Sequence, residues 1–395
     1  MDDEANRLYA EAADKNMIDK DEYPQTAAIE TRCWTMLADL WNAPDPENTI
    51  GTSTIGSSEA CMLGGLALKR RWQLARRAAG KSTDSPNLVM SSAVQVVWEK
   101  FCNYWEVEAR YVPISEEHQQ LDGHDLDKYV DENTIGVVAI MGVTYTGTYE
   151  PVAQIAAKLD QIQADTGLDI PIHVDGASGA MIAPFCQPDL TWDFRLERVA
   201  SMNTSGHFGL VYTGLGWVGW RTTALLPEEL IFTVSYLGGN MPTFALNVSR
   251  PGAQVLLQYY MFLRLGFEGY QRVQQNCLDV AQFLAREIAA MGPFELWNDG
   301  SDIPVFAWRM KNGHTSNWTL YDLSDRLRAR GWLVPAYPMP DDLSDVVVQR
   351  IVVRNGLSHD LAVALLKDLR TNVDFLDSLD GPIPRPKHAH VEFHH

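Results

Sequence analysis

Basic residues are scarce in this chain of 395 residues: 32 lysines and arginines stand against 51 acidic side chains, a formal net charge of −19. So acidic a surface repels nucleic acid and anionic lipid, and no basic block offsets it. Long apolar runs are missing as well, so no segment is expected to cross a bilayer as a helix. The N-terminus, Met1-Asp2-Asp3-Glu4, has the wrong charge for a secretory signal. Cysteine is sparse, and Cys33, Cys61, Cys102, Cys186 and Cys277 are odd in number and scattered. That argues against a disulfide framework or a metal site and points to reduced thiols in a cytoplasm. Repeats and low-complexity tracts are absent. What remains is the composition of a globular protein, 46% hydrophobic and 21% charged, long enough for two or three domains.

The middle of the chain alternates apolar strands with amphipathic helices. Gly136-Val137-Val138-Ala139-Ile140-Met141 reads as a buried parallel strand. After Pro151, Val152, Ile155, Ala156, Leu159 and Ile162 recur at helical spacing. Ile170 to Val174 forms the next strand and ends at Asp175. Such β–α–β units predict an α/β fold with a mostly parallel sheet covered on both faces, which binds ligands at the carboxyl ends of its strands. Thr144 and Asp175 both fall there. From about Cys277 the pattern changes: a helical stretch, Leu278 to Met291, is followed by the alternating Val305-Phe306-Ala307-Trp308 and the strand-like Val346–Val353. The expected division is a large domain over 1–277, a smaller α+β domain over 278–380 and a tail over 381–395.

The run His173-Val174-Asp175-Gly176-Ala177-Ser178-Gly179 and the later Ser205-Gly206-His207-Phe208-Gly209-Leu210 carry the strongest chemical signal. They read as the floor of a pyridoxal 5'-phosphate (PLP) site. A carboxylate at a strand end, Asp175, can keep a pyridine nitrogen protonated, so that the ring takes up the electron pair left by a broken bond at the substrate Cα. Taken alone, Asp175 is more simply a strand-end residue capping a turn; the small residues after it favour ring contact. Gly56-Ser57-Ser58-Glu59 starts a helix whose free N–H groups, with the hydroxyls of Ser57 and Ser58, suit a phosphate, although a plain helix cap looks the same. Ser205 and His207, on a glycine-flanked turn, are further phosphate candidates. Gln95 is placed over the ring or at a strand edge. Arg350, in an apolar strand, needs an anion, either a structural carboxylate or the substrate's.

Together these stretches resemble bacterial and plant glutamate decarboxylases, of the group II PLP-dependent decarboxylases with fold type I. Thr54-Ile55-Gly56-Ser57-Ser58-Glu59-Ala60-Cys61-Met62, Gly142-Val143-Thr144-Tyr145-Thr146-Gly147, Gln163-Ala164-Asp165-Thr166-Gly167, Tyr236-Leu237-Gly238-Gly239 and Asn247-Val248-Ser249-Arg250-Pro251 carry the likeness. It implies loss of the α-carboxylate of L-glutamate to give 4-aminobutanoate, in a homo-oligomer with a dimer as its minimal unit and a hexamer as a larger form. Ser57, Ser58, Ser205 and His207 are then similar to phosphate ligands, with Ser249 entering from a neighbouring subunit. Asp175 is similar to the pyridine-nitrogen partner, Ala177 and Gln95 to residues on the two ring faces, and Thr144 to a hydroxyl near the ring oxygen. Arg350 resembles the residue that fixes a substrate carboxylate, and Asp19 lies in a segment that approaches the distal one.

The chain departs from the family at a decisive place. The family has a lysine, the Schiff-base residue, between the positions of His207 and Phe208, where this sequence joins the two directly. Two explanations stand side by side: a lysine carried as its cofactor adduct, which a sequence written in standard residues omits, or a deletion that leaves a pseudoenzyme. Decarboxylation of another small acidic amino acid is a third possibility. Family chains also extend further at the N-terminus, and no calmodulin-binding tail is visible. The end, Val391-Glu392-Phe393-His394-His395, reads either as the bacterial tail that enters the site at neutral pH or as an expression remnant.

Overall fold

The computed structural model describes residues 2–234 and 241–383. The Tyr236–Gly239 stretch and the tail from 384, with His394 and His395, lie outside them. The chain divides into two compact units, one of residues 1–144 and 148–276, the other of 145–147 and 277–395.

In the first unit, helices α1 (Asp3–Glu11) and α2 (Pro24–Leu40) precede strand β1 (Ile50–Thr54) and helix α3 (Gly56–Ala78). Then come β2 (Asn87–Ser91), α4 (Val96–Tyr104), β3 (Glu108–Val112), β4 (Thr134–Ile140), α5 (Val152–Thr166), β5 (Ile172–Asp175), α6 (Ala183–Cys186), β6 (Val199–Ser205) and β7 (Gly216–Trp220). The seven strands form one sheet in the order β1-β7-β6-β5-β4-β2-β3. Neighbours from β6 to β3 run parallel, and β7 is antiparallel to both β6 and β1. The mostly parallel sheet expected from the β–α–β pattern is therefore present, with one reversed strand inserted. Strands β2, β4, β5, β6 and β7 are buried along their whole length, as a sheet covered on both faces requires. The five apolar positions of α5 anticipated from spacing are its buried ones.

A hairpin of β8 (Phe232–Val234) and β9 (Met241–Thr243) follows, then α7 (Ala253–Ala289). Gly266 interrupts α7 with φ 59° and ψ −173°, a conformation that glycine alone adopts readily. The sequence showed only the part of this element from Leu278.

The second unit holds a four-stranded antiparallel sheet of β10 (Phe294–Leu296), β11 (Val305–Met310), β12 (Ala336–Pro338) and β13 (Val347–Val352), in the order β10-β11-β13-β12. Helices α8 (Leu320–Arg328) and α9 (His359–Asp377) pack on it. Its core joins Leu284, Ile288, Phe306, Trp308, Leu323 and Leu369.

Candidate active site

Parallel strands deliver their carboxyl ends to one edge, and five of them lead to candidate residues here. β1 leads to Ser57 and Ser58, β2 to Gln95, β4 to Thr144, β5 to Asp175 and β6 to Ser205. Gly216, at the start of β7, stands opposite both Thr54 and Ser205. A Cβ on Gly216 would lie 2.4 Å from the Gly56 carbonyl group. Only glycine therefore lets β7 approach the start of α3 so closely, and this draws the Ser57–Ser58 turn towards the Ser205 turn.

The floor is a closed hydrogen-bond network. Asp175 is 4% exposed. Its Oδ1 accepts from Asn203 Nδ2 at 3.0 Å and from the Ala177 N–H at 3.2 Å; its Oδ2 accepts from Trp98 Nε1 at 2.9 Å. A carboxylate has about four acceptor positions, two per oxygen, and the buried Cys61 thiol hydrogen-bonds to Asp175 as well. Behind it, His173 is fully buried, with Nδ1 2.7 Å from Ser201 Oγ and Nε2 2.8 Å from Asn203 Oδ1. Burial lowers the His173 pKa, against the pull of nearby Asp175, so the ring is neutral. Cys61, on α3 beside Asp175 and Asn203, has its thiol pushed well up by burial and the neighbouring carboxylate. Ala177 is half-buried just after the floor.

The rim is open. Ser57 is half-buried and Ser58 exposed in the first turn of the 23-residue helix α3. Gly56, the first residue of α3, has φ +76°, and the leading N–H groups of a helix have no acceptor within the helix itself. Ser205 Oγ lies 2.6 Å from His207 Nδ1, and His207 is exposed. The turn after it is clamped by α7: Gln274 donates to the Phe208 carbonyl at 3.0 Å, and Tyr270 and Gln258 donate to that of Gly209 at 2.8 and 3.2 Å. Gln95 is exposed and caps α4, its Oε1 accepting from the Val97 N–H at 2.6 Å. Thr144 is exposed at the end of the β4 loop.

Ser249 is exposed and accepts from Asn16 Nδ2 at 3.4 Å. Its segment is tied to the α3 start by Glu59, whose two oxygens accept from the N–H groups of Ile55 and Asn247 at 2.6 and 3.0 Å. Buried Arg250 meets Glu30 and Ser53 in the same region. Asp19 is half-buried in the turn before α2, where its carbonyl accepts from the Tyr23 N–H at 2.8 Å. Arg350 belongs to the second unit, on β13, half-buried with its guanidinium 5.6 Å from the centre of the Tyr337 ring.

A flat phosphorylated pyridine fits the first unit's donor set. A carboxylate at a strand end, Asp175, suits a ring N–H, and hydroxyls at a helix start suit a phosphate. Trp98, His173, Ser201, Asn203 and the α7 clamp were not anticipated. Two-residue alternation would have placed His173 and Asp175 on one face of β5, but their partners lie on strands and helices whose register no local pattern reveals.

Known proteins agree with this arrangement. Residues 5–311 match the pyridoxal-dependent decarboxylase conserved domain. The glutamate decarboxylase of Aliivibrio fischeri is 54% identical over 377 residues, covering 95% of this chain and 81% of that protein. Glutamate decarboxylase beta of Listeria monocytogenes is 49% identical over 399 residues, covering 100% of this chain and 83% of that protein. The solved glutamate decarboxylase of Lactobacillus brevis superposes with a TM-score of 0.92 at 47% identity, covering 96% of this chain and 87% of that one. A sphingosine-1-phosphate lyase from Burkholderia pseudomallei, 21% identical with a TM-score of 0.81, shares the fold. A sheet edge that ends in a braced carboxylate, in a chain so closely matched along its length, places this protein in the pyridoxal-dependent decarboxylase family.

Proposed function

We propose that the chain is a PLP-dependent glutamate decarboxylase, which releases the α-carboxylate of L-glutamate as CO2 and yields 4-aminobutanoate. The observation that carries this reading is Asp175, a buried carboxylate braced by three N–H donors at the ligand edge of the sheet. When bound, PLP supplies the electron sink for the bond broken at the substrate Cα. Asp175 would orient the ring by accepting its N–H. Ser57, Ser58, Ser205 and His207 would hold the phosphate, with Ser249 contributed by a second copy of the chain. Ala177 and Gln95 would flank the ring, and Thr144 would face its oxygen. Arg350 would take a substrate carboxylate through a paired hydrogen bond, and Asp19 lies in the segment assigned to the distal end. A homodimer is the smallest complete unit in this reading, with a hexamer as a possible larger form. Five cysteines outside any disulfide, four of them buried, support a reducing cytoplasm.

The amine that holds the cofactor is assigned to a lysine between His207 and Phe208, carried as its cofactor adduct. The α7 clamp on the Phe208 and Gly209 carbonyls supports that site, because it fixes the turn on which such a residue would stand. The direct His207–Phe208 junction of the sequence favours a second reading, a pseudoenzyme that binds PLP without turnover. The purified chain with PLP should convert L-glutamate to 4-aminobutanoate and CO2, and leave L-aspartate and L-cysteine sulfinate largely untouched. PLP binding without product would establish the pseudoenzyme, and preference for either other acid would reassign the substrate.

A further inference from the structure

We infer that His173 is a positioning residue, which fixes the orientation of the Asn203 amide and so determines what Asp175 offers to a ligand. The inference rests on the reading of Asp175 as the ring-nitrogen partner. It starts from register. β5 and β6 are parallel, with His173 opposite Ser201 and Asp175 opposite Asn203. Two-residue alternation puts all four on one face. The hydrogen bonds then run in a line from Ser201 Oγ to His173 Nδ1, from His173 Nε2 to Asn203 Oδ1, and from Asn203 Nδ2 to Asp175 Oδ1.

The line has a direction. Asp175, as a carboxylate, only accepts, so the Asn203 NH2 must face it and Asn203 Oδ1 must face His173. His173 must then donate from Nε2. A neutral imidazole has one N–H, so Nδ1 is bare and accepts from the Ser201 hydroxyl. Reversing the tautomer would turn the Asn203 oxygen towards the Asp175 carboxylate, and two acceptors would face each other in a buried site.

The ring has little freedom to escape. Trp98 meets it edge-on with centroids 5.1 Å apart, while donating to Asp175 from its own Nε1. On α3, a Cβ at Gly64 would lie 2.3 Å from His173 Cε1, so the helix backbone rests on the imidazole. The titratable neighbours are Asp175 itself and the Cys61 thiol, which burial keeps protonated. His173 therefore acts through Asn203 and touches neither ring nor substrate.

Two measurements test this. Selective 15N-histidine labelling reads the tautomer in the wild-type chain, with the His173 signal identified by its loss in His173→Gln. The expected state is neutral, protonated at Nε2 and bare at Nδ1; an Nδ1–H tautomer or an imidazolium would overturn the proposal whether or not PLP binds. The second measurement uses PLP labelled with 15N in the ring. His173→Phe should shift the ring-nitrogen resonance towards the unprotonated form and weaken PLP binding about tenfold, the weight of one hydrogen bond to a charged group. His173→Gln, which can donate and accept at similar positions, should restore both. A folded His173→Phe chain with the wild-type ring-nitrogen signal makes His173 a packing residue. Should His173→Phe not fold, the tautomer decides. A wild-type chain that binds no PLP would refute the proposed function and leave the tautomer result standing.

Discussion

Asp175 is buried and held by three N–H donors, whereas Ser58, Gln95, Thr144, His207 and Ser249 stand exposed. The floor of the site is built before any ligand arrives. Its polar groups satisfy one another, as buried polar groups must. The rim is made of turns and helix starts with exposed side chains. The difference teaches where a change should matter: floor variants should alter the chemistry or the fold, and rim variants should alter how tightly a ligand is held.

The largest effect belongs to the floor. Asp175→Asn keeps shape but offers an amide where a carboxylate stood, and the rate should fall on the order of 10²-fold or more, the scale of losing a preorganised electrostatic partner. Wild-type turnover in Asp175→Asn with PLP bound would show that the floor carries no chemistry.

Glu150, also buried, sharpens the comparison from the side of stability. It accepts from the N–H groups of Ile140 and Leu121 at 2.7 and 3.3 Å, yet burial pushes its pKa up to about 8. The folded chain then keeps a proton that the unfolded chain releases near pH 4.5. Between those values the folded state binds more protons, so stability is highest on the acid side and falls as pH rises towards about 8. Glu150→Gln should remove this slope, because an amide does not titrate. Thermal unfolding across pH 4.5–8 checks it, and parallel curves for the two chains would contradict it.

Arg350→Lys should raise the KM for glutamate about tenfold and change PLP affinity little, because lysine cannot reproduce a bidentate carboxylate pair. Equal effects on both would mark a structural ion pair. The smallest effect is at the rim. Gln95→Ala removes the side-chain cap of α4 and should cost about 1 kcal/mol in stability, with only a modest change in rate. A Gln95→Ala rate loss as large as that of Asp175→Asn would erase the distinction between floor and rim.

Legibility in the sequence followed the same division. Asp175 stood out because an acid ended an apolar strand, and the α5 face was visible through its 3.6-residue period. The Ser57–Ser58 turn was visible as a helix start. The bracing of Asp175 was not, because Trp98 is 77 residues away and Asn203 is 28 away, and sequence spacing says nothing of register across strands. Gln95 was read as lying over a ring or at a strand edge, and the structure shows it capping the first turn of α4, a role that local sequence could have supplied. The α7 clamp was not legible, because Gln258, Tyr270 and Gln274 lie 49, 61 and 66 residues from the carbonyls they hold.

The most direct test of the account is the mass of the peptide that spans His207 and Phe208 after borohydride reduction of the PLP-loaded protein. The account predicts a peptide heavier than the sequence by one lysine carrying reduced cofactor. A peptide in which His207 is joined directly to Phe208, with no added mass, would contradict it and leave a PLP-binding chain without its catalytic amine.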